Sequence, residues 1–131
     1  MKSESITYAN MTAALIRELP ELKPIYDREM ERWGGQEEGP HIVYNDVMYE
    51  AIKQQLKSES RADEAFLRKI FAFLEVIANH PDEEVNTVAH SAVCEPICCD
   101  EVVLQKAQLF MGKRTREFCA MIIAPNQPRL E

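Results

Sequence analysis

The stretch DEAFLRKIFAFLEVIANHPDEEVNTVAHSAVCEPI, residues 63–97, decides the fold. In its first half Phe66, Leu67, Ile70, Phe71, Leu74, Ile77 and Ala78 recur at i, i+3, i+4 spacing; Val85, Val88, Ala89, Ala92 and Val93 repeat the pattern in the second half. Only Asn79-His80-Pro81-Asp82 separates the two apolar stripes. Stripes joined by so short a turn bury themselves by folding back on each other, which predicts a helical hairpin. Asp63 is the expected N-cap of the first helix. Pro81 with Asp82, Glu83 and Glu84 is expected in the first turn of the second, where negative charge meets the positive end of the helix dipole. Pro96 is expected to end or kink that helix. The hairpin supplies architecture and no chemistry.

On the N-terminal side, a helix is predicted over roughly Thr7 to Leu19, with Tyr8, Met11, Leu15, Ile16 and Leu19 inward and Pro20 as its stop. A second starts near Leu22, tolerates Pro24 in its first turn, carries Ile25, Tyr26, Met30 and Trp33, and ends at Gly34-Gly35. Gly34 to Pro40 reads as an exposed loop. A third helix, Ile42 to Leu56, places Tyr44, Val47, Met48, Ala51 and Ile52 on one face, and Lys57 to Arg61 reads as a polar linker. Beyond the hairpin, Asp100 and Glu101 open a helix carrying Val103, Leu104, Ala107, Phe110 and Met111, with Gly112 as its C-terminal cap. A last helix, Arg114 to Ile123, is expected to bury Phe118, Met121 and Ile122. Pro125 and Pro128 end order, and residues 1–5 and 125–131 are expected to fray. No segment alternates at period two for long enough to claim a strand. The expectation is one all-α domain over residues 1–131, about seven helices in antiparallel hairpins.

The 131 residues have the length of one domain, and 46% hydrophobic with 28% charged residues are ordinary globular values that exclude disordered and fibrous classes. No apolar run approaches the ~20 residues of a membrane span. Met1-Lys2-Ser3-Glu4-Ser5 leads into a polar segment without a signal-peptide core, so a cytoplasmic location is the expectation. The net charge of −7 is unevenly placed: −4 to Ser60, −6 from Arg61 to Glu101, and +3 from Val102 onward. An acidic middle repels phosphate backbones, which argues against direct nucleic-acid binding, and it attracts a basic protein. Acidity also simply keeps a small domain soluble.

The chemistry-bearing residue types form no recognised set. His90, Cys94 and Cys98 at i, i+4, i+8, with Cys99 nearby, are a zinc pattern lacking a Cys-x2-Cys pair and a fourth ligand nearer than Cys119. Four cysteines in a cytosolic chain read more simply as reduced, small hydrophobic residues. A Cys–His nucleophilic pair using His41, His80 or His90 lacks an orienting group and an oxyanion site. The acid pairs Glu37-Glu38, Asp63-Glu64, Asp82-Glu83-Glu84 and Asp100-Glu101 sit at loops and helix starts, where capping explains them. No Glu-x-x-His motif, phosphate loop or nucleophile elbow appears. No catalytic residue, metal or cofactor is therefore expected. Lys113-Arg114-Thr115-Arg116 is too short for a nucleic-acid footprint and reads as a solvated loop or a partner for internal acids. Trp33, Tyr44 and Tyr49 are either interface anchors or core.

The order of these pieces resembles a family of small bacterial all-helical domains, HEAT-like in local packing, labelled as of unknown function and including toxin-neutralising immunity proteins. The matching signals are Leu19-Pro20-Glu21-Leu22 with Tyr26, Phe73-Leu74-Glu75, Asp82-Glu83-Glu84-Val85, and Phe110-Met111-Gly112-x-x-Thr115. They span about residues 15 to 120. The family's acidic-aromatic segment after the second hairpin helix is replaced here by Val93-Cys94-Glu95-Pro96-Ile97-Cys98-Cys99. The resemblance implies a monomeric immunity protein that binds a cognate toxin domain one-to-one, as in contact-dependent growth inhibition. Many such toxins are basic nucleases, which an acidic inhibitor meets fast and occludes. The acidic rim Asp82, Glu83, Glu84, Glu95, Asp100 and Glu101 is the first candidate surface, and Asp46, Tyr49 and Glu50 are the second. The rival reading is a helical scaffold or regulatory module with an endogenous protein partner; a further rival is an enzyme or metal protein using His90 and the cysteines.

Overall fold

The computed structural model describes residues 5–58 and 63–124, and these form seven helices and no strand. Helix α1 is Met11–Glu18, and α2 is Lys23–Arg32 after a single 3-10 turn, Pro20–Leu22. Helix α3 spans 40–57 and is wound as a π-helix over Tyr44–Tyr49; α4 is Glu64–Ala78. Helix α5 spans 83–98, with a π-wound middle at Ala89–Cys94; α6 is Glu101–Ala107 and α7 is Lys113–Ile123. Helix α5 is the hub of the bundle, packing on α3, α4, α6 and α7. The expected hairpin is α4 and α5. Its stripes of Leu67, Ile70, Phe71, Leu74 and Ile77 and of Val85, Val88, Ala89, Ala92 and Val93 are buried in one continuous core.

Caps explain most boundaries. Asp63 accepts from the Phe66 amide at 3.1 Å, and Asp82 from the Glu84 amide at 2.9 Å. Asp100 accepts from the Val102 and Val103 amides, opening α6. Helix α2 ends where Gly34 and Gly35 take φ of +77° and +84°, the left-handed turn that glycine adopts without a Cβ clash. Helix α1 starts at Met11 rather than Thr7, because local bonds compete with helix there. The Thr7 amide donates to Asn10 Oδ1 at 2.8 Å, and Asn10 Nδ2 donates to the Ser5 carbonyl at 3.0 Å. That shorter helix leaves Tyr8 half-buried rather than inward. The fraying expected at both termini falls outside the described residues except at Ser5, and the linker does so from residue 59 onward.

Pro96 does not end α5, whose winding continues to Cys98. Lacking an N–H, it cannot donate to the Ala92 carbonyl as an α-helical residue would. The π winding just before it changes the register. Asn45 Nδ2, from the π segment of α3, donates to the Ala92 carbonyl at 3.1 Å, and the Tyr49 hydroxyl donates to the Pro96 carbonyl at 3.4 Å. The two irregular segments thus face each other, and side chains of one satisfy backbone groups of the other. The buried Tyr44 hydroxyl donates to the Met11 carbonyl at 2.6 Å, which ties α3 to α1.

Gly112 is not the C-terminal cap of α6. It is the N-cap of α7, with extended backbone (φ −80°, ψ 179°), and it has no side chain with which to cap. Glu75 of α4 caps in its place. Its Oε2 accepts from the Arg114 amide at 2.7 Å, and its Oε1 from the Thr115 amide at 3.0 Å and the Thr115 hydroxyl at 2.8 Å. A Cβ at position 112 would lie 2.5 Å from Glu75 Cδ, so only glycine leaves room for the carboxylate. Pinning Thr115 inward sets the register of α7: Thr115, Phe118 and Cys119 are buried, whereas Met121 is 50% exposed and Ile122 only half-buried.

Candidate functional site

The acids of the first candidate surface do not form one rim. Asp82, Glu83 and Glu84 stand at the start of α5 and Glu95 near its end, with Asp100 and Glu101 opening α6. At 1.5 Å of rise per residue the two groups lie roughly 15–20 Å apart along the helix. They are two poles, and their carboxylates are committed to different degrees.

At the C-terminal pole one of the three acids faces a permanent cation. Asp100 pairs with Lys57 and caps α6; the Lys57 ammonium, followed by the Val103 amide, holds its carboxyl below the usual range. Glu95 lies 3.5 Å from His90 Nδ1. Among the described residues Glu101 has no ion pair, and the Glu95 contact is an ion pair only with a protonated His90. The second candidate surface adjoins this pole, since Tyr49 reaches Pro96. Burial, then the negative charge of Asp100, pushes the Tyr49 hydroxyl above its ordinary pKa. Asp46, Tyr49 and Glu50 line a cleft of about 360 Å³ together with Arg28, Glu29, Arg32, Asn45 and Lys53. Arg32 bonds Asp46 at 3.0 Å and also holds Glu29; Lys53 pairs with Glu50 at 3.0 Å. Glu50 sits below the usual carboxylate range: burial raises it, but bonds from Lys53 and Gln54 prevail. Three acids facing three cations make this cleft locally neutral, so it adds no acidic field.

The N-terminal pole differs. Asp82 is spent on its cap, but the carboxylates of Glu83 and Glu84 are exposed and hold no ion pair among the described residues. They border a cavity of about 350 Å³ whose remaining walls are Tyr8, His41 and Thr87. The Tyr8 and His41 rings stand 6.4 Å apart at 50°. Sequence reasoning placed Tyr8 in the core and His41 in a loop and joined neither to the acids. No signal in the chain could have done so, because the cavity draws on three segments far apart in sequence.

Three of the four thiols converge where α5 meets α7. Cys94 and Cys98 of α5 lie against Cys119 of α7, whose sulfur is 3.9 Å from Met111 Sδ. Burial, with the Cys119 thiol beside it, pushes Cys98 up to about 12; the Cys94 thiol and burial push Cys119 higher still. His90 turns to Glu95 and sets its ring against Phe118 at 5.0 Å. Among the described residues no three His, Cys, Asp or Glu side chains are grouped to hold a metal ion. His80 serves the turn: its Nδ1 accepts from the Asp82 amide at 3.0 Å.

Lys113 to Arg116 form the first turn of α7 rather than a loop. Arg114 lies over the Phe118 ring at 4.4 Å and pairs with Glu117, and Arg116 donates to the Met111 and Gln108 carbonyls. Tyr44 is fully buried and Trp33 and Tyr49 half-buried, so Tyr44 belongs to the core alone. No helix among the described residues is long and apolar enough to cross a membrane.

The segments Phe73-Leu74-Glu75 and Phe110 to Thr115, which carry the resemblance noted from sequence, meet in one structural junction: the Glu75 cap on α7. Comparison with curated proteins and with solved structures finds no match. A family model described as a domain of unknown function, DUF7674, matches residues 12–124, and the chain belongs to that family.

Proposed function

We propose that this protein is an immunity protein, a binding rather than a catalytic molecule. Its partner is a basic antibacterial toxin domain, a nuclease by the resemblance, which it neutralises by stoichiometric occlusion in the cytoplasm. One observation carries this reading. Arg32, Lys53, Lys57, Lys69 and Arg114 are tied to acids of the same chain, while Glu83 and Glu84 have no ion pair among the described residues and border an open cavity. A net charge of −7, with two adjacent free carboxylates at the start of α5, attracts a cationic partner to that pole among others. In this reading Glu83 and Glu84 make first contact, and Glu95, Asp100 and Glu101, with Asp46, Tyr49 and Glu50, touch a separate part of the partner. The rival is a helical scaffold for an endogenous protein. It draws on Val102 and Leu109, 48% and 79% exposed and seven residues apart on one side of α6 and its extension.

Co-expression with the toxic domain encoded beside it tests the reading. A one-to-one complex on size exclusion, together with rescue of growth, is the expected result. A lone peak without rescue discards neutralisation and leaves the scaffold.

A further inference from the structure

We infer that Cys98 and Cys119 are a modification site, a thiol pair that a small disulfide such as glutathione disulfide oxidises to a bond stapling α5 to α7. The pair plays no part in the binding reading above and stands or falls apart from it.

The fold brings these two thiols together from different helices. Cys98 is the last residue of α5 and Cys119 lies within α7; the end of α5 packs directly on α7, and the two thiols are hydrogen-bonded to each other. All four cysteines are free. Cys94 also bonds Cys119, so access decides which pair reacts. Cys94 is fully buried and Cys119 is 4% exposed, whereas Cys98 is only half-buried. A small disulfide therefore reaches Cys98 and neither of the other two. Cys99 is exposed, but it is the chain neighbour of Cys98. Neighbouring Cα atoms stand about 3.8 Å apart, short of the roughly 4.4–6.8 Å that a relaxed disulfide spans.

The step balances with the small disulfide as its only co-reactant. The Cys98 thiolate attacks one sulfur of glutathione disulfide, forming a mixed disulfide and releasing one glutathione. Cys119 then gives up its proton, attacks the Cys98 sulfur and expels the second glutathione. Two protein thiols are oxidised by the loss of two hydrogens, and one small disulfide is reduced to two thiols.

Burial makes this bond slow to form and slow to undo. The Cys98 thiol, pushed up to about 12 chiefly by burial, is ionised in a small fraction of molecules at neutral pH, and that fraction rises about tenfold per pH unit. The same property makes both sulfurs poor leaving groups, which holds the bond against reduction. Closing the loop between positions 98 and 119 restricts the unfolded chain and should raise Tm by roughly 10 °C.

The test treats the full chain in native buffer with glutathione disulfide, then quenches in acid, unfolds, alkylates and maps the products by mass spectrometry. One intramolecular Cys98–Cys119 bond is expected, with Cys94 alkylated, a rate rising about tenfold per pH unit from about pH 7 to 9, and the higher Tm. Cys99→Ser should keep the bond; Cys98→Ser should lose it. In urea the same treatment should scatter bonds among the four thiols. A bond from Cys94, a mixed disulfide persisting at Cys98, modification confined to Cys99, thiols still reduced at pH 9, or the same pattern in urea as in native buffer would overturn the assignment. Mapping of the unaltered chain decides the question even if Cys98→Ser fails to fold.

Discussion

Glu75, within the last turn of α4, and Glu83 and Glu84, opening α5, flank the same four-residue turn, yet their carboxylates meet opposite fates. Glu75 accepts four hydrogen bonds, two from α7 amides, one from the Thr115 hydroxyl and one from Asn79. Burial raises its pKa, but these donors prevail and hold it below 4.5. Glu83 and Glu84 accept nothing from the described side chains. The lesson is that acidity does not mark a binding surface. What marks it is charge that the fold has left unspent, and that is visible only once every internal donor has been assigned.

The largest effect expected from breaking this comparison lies at the junction. Glu75→Ala strands two α7 amides and the Thr115 hydroxyl, at a cost of about 3 kcal/mol, or roughly a 10 °C fall in Tm. Gly112→Ala drives a methyl into the same carboxylate and should cost a similar amount. Because both changes destroy one junction, the double variant should be only slightly worse than either single one. Additive losses in a denaturation cycle would show that Gly112 and Glu75 act separately.

Next is the facing pair of π segments. Asn45→Ala leaves the Ala92 carbonyl without its side-chain donor and should cost about 1–2 kcal/mol, read from the urea midpoint. An unchanged midpoint would mean that water replaces Asn45 there.

Acid sharpens the contrast further. A carboxylate held below its unfolded pKa contributes stability above that pKa, and the contribution is lost as pH falls through the folded value. Glu75 should therefore lose its contribution below about pH 4.5, in company with Glu21, Glu50 and Asp100, which are lowered as well. Glu75→Gln should flatten, without abolishing, the decline of the urea midpoint between pH 5 and 3; an identical slope counts against the junction.

The smallest effect on stability, and the largest on binding, is expected at the other pole. Glu83→Lys/Glu84→Lys turns two favourable contacts with the helix dipole into unfavourable ones, each contact being worth about 0.5 kcal/mol. It should slow association with the basic partner by about tenfold at low salt, with the difference shrinking as salt rises. Asp46→Lys, in the internally neutral cleft, should change the rate less. If the ranking reverses, the N-terminal pole is not where the partner docks.

The apolar spacing between Asp63 and Ile97 carried the hairpin, and the capping aspartates carried its boundaries, because both signals are local: a 3.6-residue period and an oxygen two or three residues from the amide it serves. Elsewhere local rules misled. Gly112 after an apolar stripe reads as a C-cap, but a carboxylate from another helix fills the space where its side chain would be, and makes it an N-cap. Pro96 reads as a break, but the donor it removes is offset by Asn45, from a helix about fifty residues earlier.

By itself, the sequence determined an all-helical chain, its central hairpin and its acidic balance, since each depends on composition or on neighbours within a turn or two. Only the tertiary structure decided which acids remain free. That depends on which cations and amides fold up against them, and the pairing of Glu75 with Thr115, like the placing of Tyr8 and His41 beside Glu83 and Glu84, crosses tens of residues with no periodic trace.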